Sequence, residues 1–249
     1  MTDWIRDYFE RGYAQRWGLP PITDHIQVEV DGLWKHLNLS PTSRVLDIGC
    51  GHGRHALALA QHGPAVVGVD FAAALLTRAE HLGAQLGARA HWVQGDMRRL
   101  PLRSGYFNAA ILMDAFGFFD AEEENEAVLA EIAHTLVSHG RLGLKVVNGS
   151  QILSNFRGSD REEREGTVVT ISRTLTLEPP RMTEKVVVTG LRGNGEYERR
   201  QRLYRREELS GMVERAGLSV VDIFSNADGT PFDPAISTTM WFVAERKAT

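Results

Sequence analysis

Val45-Leu46-Asp47-Ile48-Gly49-Cys50-Gly51-His52-Gly53-Arg54 decides how the rest of the chain is read. Val45, Leu46 and Ile48 make the short, non-alternating apolar run expected of a strand buried on both faces of a parallel sheet. Glycines at 49, 51 and 53 then free the backbone to turn sharply, take positive φ and approach a ligand with no Cβ in the way. Arg54 to Gln61, rich in alanine and leucine, reads as the following helix, whose first N–H groups face whatever lies over the loop. The dinucleotide fingerprint G-x-G-x-x-G needs its third glycine at position 54, which is Arg54 here. The pattern is instead G-x-G-x-G.

Working outward, Ala65 to Val69 is a second buried strand ending at Asp70, followed by a helix over Ala72 to Leu86. His91 to Gln94 is a third strand ending at Gly95-Asp96-Met97. Phe107 to Met113 is a fourth, ending at Asp114. Glu122 to Leu136 is helical and Arg141 to Val147 is a fifth strand. Strands alternating with helices at this interval predict an α/β fold, a doubly wound, mostly parallel sheet. From Thr167 to Tyr204 three β-rich segments follow, separated by Pro179-Pro180 and by the hairpin signal Gly193-Asn194-Gly195, and predict an antiparallel β insertion after strand 5. A helix over Arg206 to Ala216 and strands near Val220 to Phe224 and Thr238 to Ala244 complete a seven-stranded, Rossmann-like sheet.

Upstream, a helix over Asp3 to Trp17 places Trp4, Tyr8 and Trp17 near one face, with Ile5, Phe9 and Tyr13 beside them, and Pro20-Pro21 ends it. A second helix starts at Thr23 or Asp24, with Gln27 completing a capping box and Ile26, Val30, Leu33, Trp34 and Leu37 as its apolar stripe. The expected organisation is one domain over 1–249, with a helical cap (1–42), a cofactor-binding core (43–148), the insertion (165–205) and the last helix and strands (206–249).

At 249 residues and 43% hydrophobic content, one core burying roughly 70 to 75% of the unfolded surface is the default. A net charge of −4 argues against binding through many phosphates. The single cysteine, Cys50, excludes an intramolecular disulfide and suits a reducing cytoplasm. No signal peptide opens the sequence and no apolar run approaches the roughly 18 to 20 residues that cross a bilayer, so a cytoplasmic protein without a membrane partner is expected.

In an open α/β sheet the ligand lies at the carboxyl ends of the strands. Asp70 closes the second strand, placed to accept hydrogen bonds from both hydroxyls of a ribose; capping the next helix is the alternative. Asp47-Ile-Gly-Cys-Gly-His-Gly resembles the D-x-G-x-G-x-G motif of class I S-adenosylmethionine-dependent methyltransferases, and Gly95-Asp96-Met97 resembles that family's G-D motif. The resemblance covers roughly Ser43 to Asn148 and is greatest to bacterial small-molecule methyltransferases. It implies S-adenosyl-L-methionine as cofactor, with Asp47 and the loop Gly49, Cys50, Gly51, Gly53 at its amino-acid end and Asp70 with Phe71 at the ribose. Gly95, Asp96 and Met97 would meet the adenine, and Met113 would lie by the reacting methyl, unless it is simply core. Departures are His52 for a frequent threonine, Ala72 for a capping serine and Ser138-His139-Gly140 for a Pro-Gly-Gly turn.

Methyl transfer is an in-line displacement that asks mainly for collinear atoms in a dry pocket; an amine acceptor reacts once neutral, a hydroxyl needs a base. Asp114 is the best-placed base, with a loop-capping role as the alternative. Tyr13, with Tyr8 and Trp17, would cover the site, unless the aromatic stripe is core. Base methylases resemble one another in an Asn/Asp-Pro-Pro-aromatic motif after the fourth strand; Asp114-Ala115-Phe116-Gly117 has no proline, so nucleic acid is disfavoured. Arginines 192, 199, 200, 202, 205 and 206 interleave with glutamates and read as a solvated surface. The nine histidines show no ligand spacing, so no metal is expected. The expected activity is methyl transfer to a nitrogen or oxygen of a small-molecule acceptor. An RNA or protein methylase and a non-catalytic cofactor-binding protein are the alternatives. The insertion and N-terminal helices would shape the acceptor pocket or a homodimer contact.

Overall fold

The structure, a computed structural model, describes residues 3–19 and 22–248; the Pro20-Pro21 stop lies outside them. The chain runs through α1 (Asp3–Asp7), a wider π-type turn (Tyr8–Gly12), α2 (Tyr13–Trp17) and α3 (Asp24–His36). The core follows as β1 (Arg44–Ile48), α4 (Arg54–Gln61), β2 (Ala65–Asp70), α5 (Ala73–Leu86), β3 (His91–Gln94), β4 (Phe107–Met113), α6 (Glu122–Thr135) and β5 (Leu136–Val147). After α7 (Gly149–Ser154) come β6 (Ser159–Arg164), β7 (Thr167–Leu177), β8 (Pro180–Gly190) and β9 (Gly195–Arg202), and then α8 (Arg206–Arg215), β10 (Leu218–Phe224) and β11 (Thr239–Arg246).

Seven strands form one sheet in the order β3-β2-β1-β4-β5-β11-β10. Only β11 runs against its neighbours, β5 and β10. Period-two alternation divides the strand side chains between two cores. Leu46, Ile48, Ala110 and Leu112 pack with Leu129 and Ile132 of α6 and Met212 and Val213 of α8. Val45, Ala109, Ile111 and Met113 pack with Val30 and Leu33 of α3 and Ala58 and Leu59 of α4. Both faces are therefore covered, which is why these strands read as continuous apolar runs.

β6 to β9 form a second, four-stranded antiparallel sheet in sequential order. It begins six residues before the expected 165 boundary, because β6 is the charged run Ser-Asp-Arg-Glu-Glu-Arg, exposed along most of its length. A solvated edge strand carries no apolar pattern to announce it. Helix α7 was likewise absent from the sequence expectations, being too short for a periodic stripe.

The N-terminal segment is wedged between the two sheets. Tyr8 is buried with Val169, Ile171, Val186, Val188 and Tyr197 of the antiparallel sheet. Its neighbour Phe9 meets Phe71 and Phe118 edge-on, at 6.2 and 5.1 Å. A π-type turn adds a residue to the helical repeat and so shifts which side chains share a face. Trp17, at the end of α2, is exposed, yet it borders the same cavity as Tyr8 and Tyr13. Gly12 crosses so close to Tyr197 that a Cβ there would lie 2.6 Å from the ring. Thr23 caps α3 through the Ile26 N–H, at 3.4 Å. The expected capping box is not formed: Gln27 is one position too far along and its amide turns to Asp31, at 3.1 Å.

Candidate active site

The chain proceeds from β1 to β2 and β3 on one side and crosses to β4 on the other, so the crevice above β1 and β4 is the switch point of the sheet. A cavity of about 560 Å³ lies there. The glycine loop borders it with φ of +64°, +55° and +79° at Gly49, Gly51 and Gly53. A Cβ at Gly49 would stand 2.8 Å from Ala115, whereas at Gly51 the nearest side chain is 3.9 Å away. Gly51 thus leaves open room beside the loop. Gly53 differs from the other loop glycines: it is not part of the cavity wall, and a Cβ there would lie 2.4 Å from the Trp92 ring and 3.0 Å from Ala79.

Asp47, Gly49, Cys50, Gly51, Asp70 and Phe71 all border this cavity, as do Gly95, Asp96, Met97, Met113, Asp114 and Tyr13. Residues from five separate elements and their loops are thereby brought together. Asp47 is buried, and burial pushes its carboxyl up to about 8 against a single backbone hydrogen bond from Ala56 and the more distant Arg54. Its Oδ2 has no hydrogen-bond partner. An orphaned buried carboxylate oxygen is costly unless a donor arrives, and a cationic ammonium is the donor that would also restore its charge. With the open cradle at Gly51, this fits the amino-acid end of S-adenosylmethionine.

Asp70 is buried and its pKa is raised by that burial. Its Oδ1 accepts from Ala72 N at 2.9 Å and its Oδ2 from Gly51 N at 2.8 Å. The helix-capping alternative is not realised, because α5 begins at Ala73 with Ala72 at its cap position and no side-chain cap; the carboxylate instead ties the glycine loop to the turn after β2. Asp96 accepts from the backbone N–H and guanidinium of Arg98, at 2.9 and 3.0 Å, which holds its carboxyl below the usual range. Arg98 is itself held by Glu124 and stacked 4.6 Å over Phe119. Cys50 is half-buried and its thiol is pushed well up by burial, so the wall it offers is unreactive. Met113 belongs both to the core and to the cavity wall.

Asp114 sits at φ +57°, a conformation asparagine and aspartate tolerate best among non-glycine residues. Its Oδ2 accepts from Lys145 Nζ at 2.7 Å. Lys145 also reaches Glu29 Oε1 at 2.8 Å, and Glu29 Oε2 lies 2.8 Å from His55 Nε2. Burial works against the charge on Glu29, but His55 and Lys145 outweigh it and bring the carboxyl down to about 2. An ionised Glu29 only accepts, so His55 Nε2 carries the hydrogen between them. Glu29, His55, Lys145 and His25 all border the cavity, and none was foreseen in the sequence. Only the His25–Glu29 pair, at i and i+4 and 3.2 Å, was readable from spacing. Glu29 and Lys145 are 116 positions apart.

Tyr13 packs beside His52, ring centroids 6.5 Å apart, and burial raises its pKa. The arginines expected on a solvated surface divide. Arg200, Arg205 and Arg206 do reach solvent. Arg192 instead clamps the carbonyls of Gln15 and Arg16, at 2.8 and 3.2 Å, while Arg202 is buried against the Leu203 carbonyl at 2.7 Å. Arg199 borders the cavity. Alternation does hold along β9: Tyr197 is buried against the N-terminal segment, Glu196, Glu198 and Arg200 of the other face reach solvent, and only Arg202 at the end of that face is buried. Among the described residues no cluster of His, Cys, Asp or Glu is arranged to hold a metal ion, and no helix is long and apolar enough to cross a membrane.

A glycine-loop cavity at the switch point of a sheet in this order defines a Rossmann-like cofactor site. Residues 45–140 match the model of the methyltransferase domain family. Cypemycin N-terminal methyltransferase of Streptomyces sp is 27% identical over 82% of this chain and 83% of its own length. The CcbJ methyltransferase from Streptomyces caelestis shares the fold with a TM-score of 0.81 at 19% identity, over 97% of this chain and 98% of that one. The S-adenosylmethionine-bound structure of CalS10, an amino pentose methyltransferase from Micromonospora echinaspora, gives a TM-score of 0.65 at 25% identity over 95% of each chain. The match over residues 45–140, the fold and the S-adenosylmethionine-bound neighbour together support a class I S-adenosylmethionine-dependent methyltransferase with S-adenosylmethionine as its cofactor.

Proposed function

We propose that this methyltransferase acts on a nitrogen or oxygen of a small-molecule acceptor. The observation that carries the reading is the form of the site: a walled cavity, bordered by Tyr13, Phe9, Phe118 and Phe119, at the end of β4 where Met113 and Asp114 stand. Its volume of about 560 Å³ lies within the range of small-ligand sites, roughly 300–1,000 Å³. A cavity so walled suits a compact acceptor rather than a duplex. Similarity to CalS10, an amino pentose methyltransferase, supports a small-molecule acceptor. A peptide α-amine is the second reading, favoured by the likeness to cypemycin N-terminal methyltransferase.

When bound, the cofactor supplies an electrophilic methyl on a sulfonium. Asp47 and the backbone at Gly49, Cys50 and Gly51 would hold its amino-acid end, with Arg54 facing the carboxylate. Asp70 and Phe71 would hold the ribose, and Gly95, Asp96 and Met97 the adenine. Met113 would flank the methyl. The aromatic wall excludes water, which keeps the acceptor's lone pair unsolvated and aligned. Asp114 would take the acceptor's proton, with Lys145 balancing its charge, and Tyr13 would orient the acceptor.

Calorimetry with S-adenosylhomocysteine tests the cofactor site. A labelled-methyl screen against metabolite pools, peptides and total RNA tests the acceptor class. Label confined to RNA would overturn the small-molecule reading.

A further inference from the structure

The wall of the cavity formed by α2 and β9 carries more positive charge than its own carboxylates neutralise. Glu184, on β8, is buried and accepts from three guanidinium groups: Arg16 at 3.1 Å, Arg199 at 2.9 Å and Arg173 at 2.9 Å. Burial disfavours its charge, yet Arg199, Arg16 and Arg173 together hold its carboxyl down to about 2. Arg173 has a second carboxylate, Asp160, at 3.9 Å. Arg16 and Arg199 have Glu184 alone among the described residues. Both border the cavity.

What else holds these two groups is neutral. Arg16 donates to Tyr8 Oη at 3.0 Å and lies 4.7 Å over the Trp17 ring. Arg199 donates to Gln201 Oε1 at 2.6 Å and lies 5.0 Å from the Phe118 ring. Aromatic faces and an amide steady a guanidinium but do not cancel its charge. Two arginines sharing one carboxylate at the edge of a low-dielectric cavity leave an uncompensated cation there, which is expensive unless an anion arrives. Simple clamping of the insertion to the N-terminal segment would need one arginine per carboxylate.

A cation for the cofactor stands elsewhere, since Arg54 follows the glycine loop and borders the cavity. Arg16, in α2, and Arg199, in β9, belong to the N-terminal segment and the antiparallel sheet, outside the glycine-loop core. We infer that Arg16 and Arg199 form an oxyanion subsite, and that the methyl acceptor carries a carboxylate or a phosphate on an aromatic or otherwise apolar body. The body fits among Tyr13, Trp17 and Phe118, while the anion meets a planar donor fork that recognises paired oxygens. This rests on the reading of the cavity as an acceptor site and adds the charge of what enters it.

The test is calorimetric, on the full chain with and without saturating S-adenosylhomocysteine, using benzoate, phenyl phosphate and the neutral isostere benzamide. Fragments of this size bind in the millimolar range. Benzoate or phenyl phosphate is expected to bind about tenfold or more tighter than benzamide, as charge-assisted bonds allow. Whichever anion is the tighter identifies the oxyanion. In Arg199→Gln the preference should vanish, in Arg199→Lys it should persist in weakened form, and S-adenosylhomocysteine affinity should be unchanged in both. Equal binding of anion and amide, no anion binding, or a preference that survives Arg199→Gln in a variant that melts as the parent does would overturn the subsite. So would a parallel loss of S-adenosylhomocysteine affinity in Arg199→Gln, because the cation would then serve the cofactor. Failure of the unaltered protein to bind S-adenosylhomocysteine would instead count against the cofactor assignments, whatever the fragments do.

Discussion

Replacing Asp47 by asparagine removes a carboxyl that the fold keeps protonated. Burial raises its pKa to about 8, against about 4 in the unfolded chain. Between those values the folded state holds a proton that the unfolded chain has released, so this group makes the protein less stable as pH rises. At about 1.4 kcal/mol per pH unit, the cost accumulates to roughly 4 kcal/mol by neutral pH. The side-chain amide of Asp47→Asn does not titrate. Its oxygen can still accept from Ala56, and its NH₂ in place of the orphaned Oδ2 leaves a buried donor worth about 1 to 3 kcal/mol.

The variant should therefore match or fall below the parent near about pH 5 and exceed it by a few kcal/mol near about pH 8, in urea denaturation without cofactor. S-adenosylhomocysteine should reverse the order, since its ammonium ionises Asp47 and gains a buried ion pair; the variant should bind about 10- to 100-fold more weakly. In the parent, binding near neutral pH should release close to one proton, read from calorimetry in buffers of different ionisation enthalpy. The ammonium itself titrates near about 8, so the sign of that proton exchange should invert above it. Parallel pH dependences of the two denaturation curves would refute the argument.

Asp70→Ala should weaken S-adenosylhomocysteine binding at least about tenfold and also lower stability, because the N–H groups of Gly51 and Ala72 lose their acceptor at about 1–3 kcal/mol each. Unchanged affinity by calorimetry rejects the ribose role. Glu29→Gln leaves Lys145 and His55 facing an uncharged amide and should cost about 3–5 kcal/mol in urea denaturation. In the parent, the stability Glu29 contributes is complete above its unfolded pKa of about 4.3 and lost as pH falls towards about 2, so the variant's deficit should shrink in acid. Gly12→Ala drives a methyl to within 2.6 Å of the Tyr197 ring and should destabilise by about 1–3 kcal/mol, read as a lower urea midpoint.

The sequence reading held wherever local geometry dictates residue type. The helix over Arg54–Gln61 and the strands His91–Gln94 and Phe107–Met113 have the expected bounds. The residues closing β1, β2, β3 and β4 converge on one cavity, as parallel strands bring their carboxyl ends to one edge. Gly53 departs from its group because a G-x-G-x-G pattern does not distinguish a glycine needed for a ligand from one needed for the Trp92 ring. The acceptor side was hardly legible. Glu29, Lys145, Arg16 and Arg199 look like ordinary surface charges in sequence, and they acquire meaning only through pairs 116, 168 and 15 positions apart.

By itself the sequence determined the sheet and its glycine loop, because period, turn chemistry and motif spacing are local properties of the chain; the kind of cofactor followed from the resemblance of that loop and of Gly95-Asp96-Met97 to a known family. Tertiary structure alone decided that Asp47 keeps its proton and that the N-terminal segment lies between two sheets. It also decided that Glu184 gathers three arginines at the cavity wall. Burial and charge balance depend on which distant segments meet, and no window along the chain contains both partners.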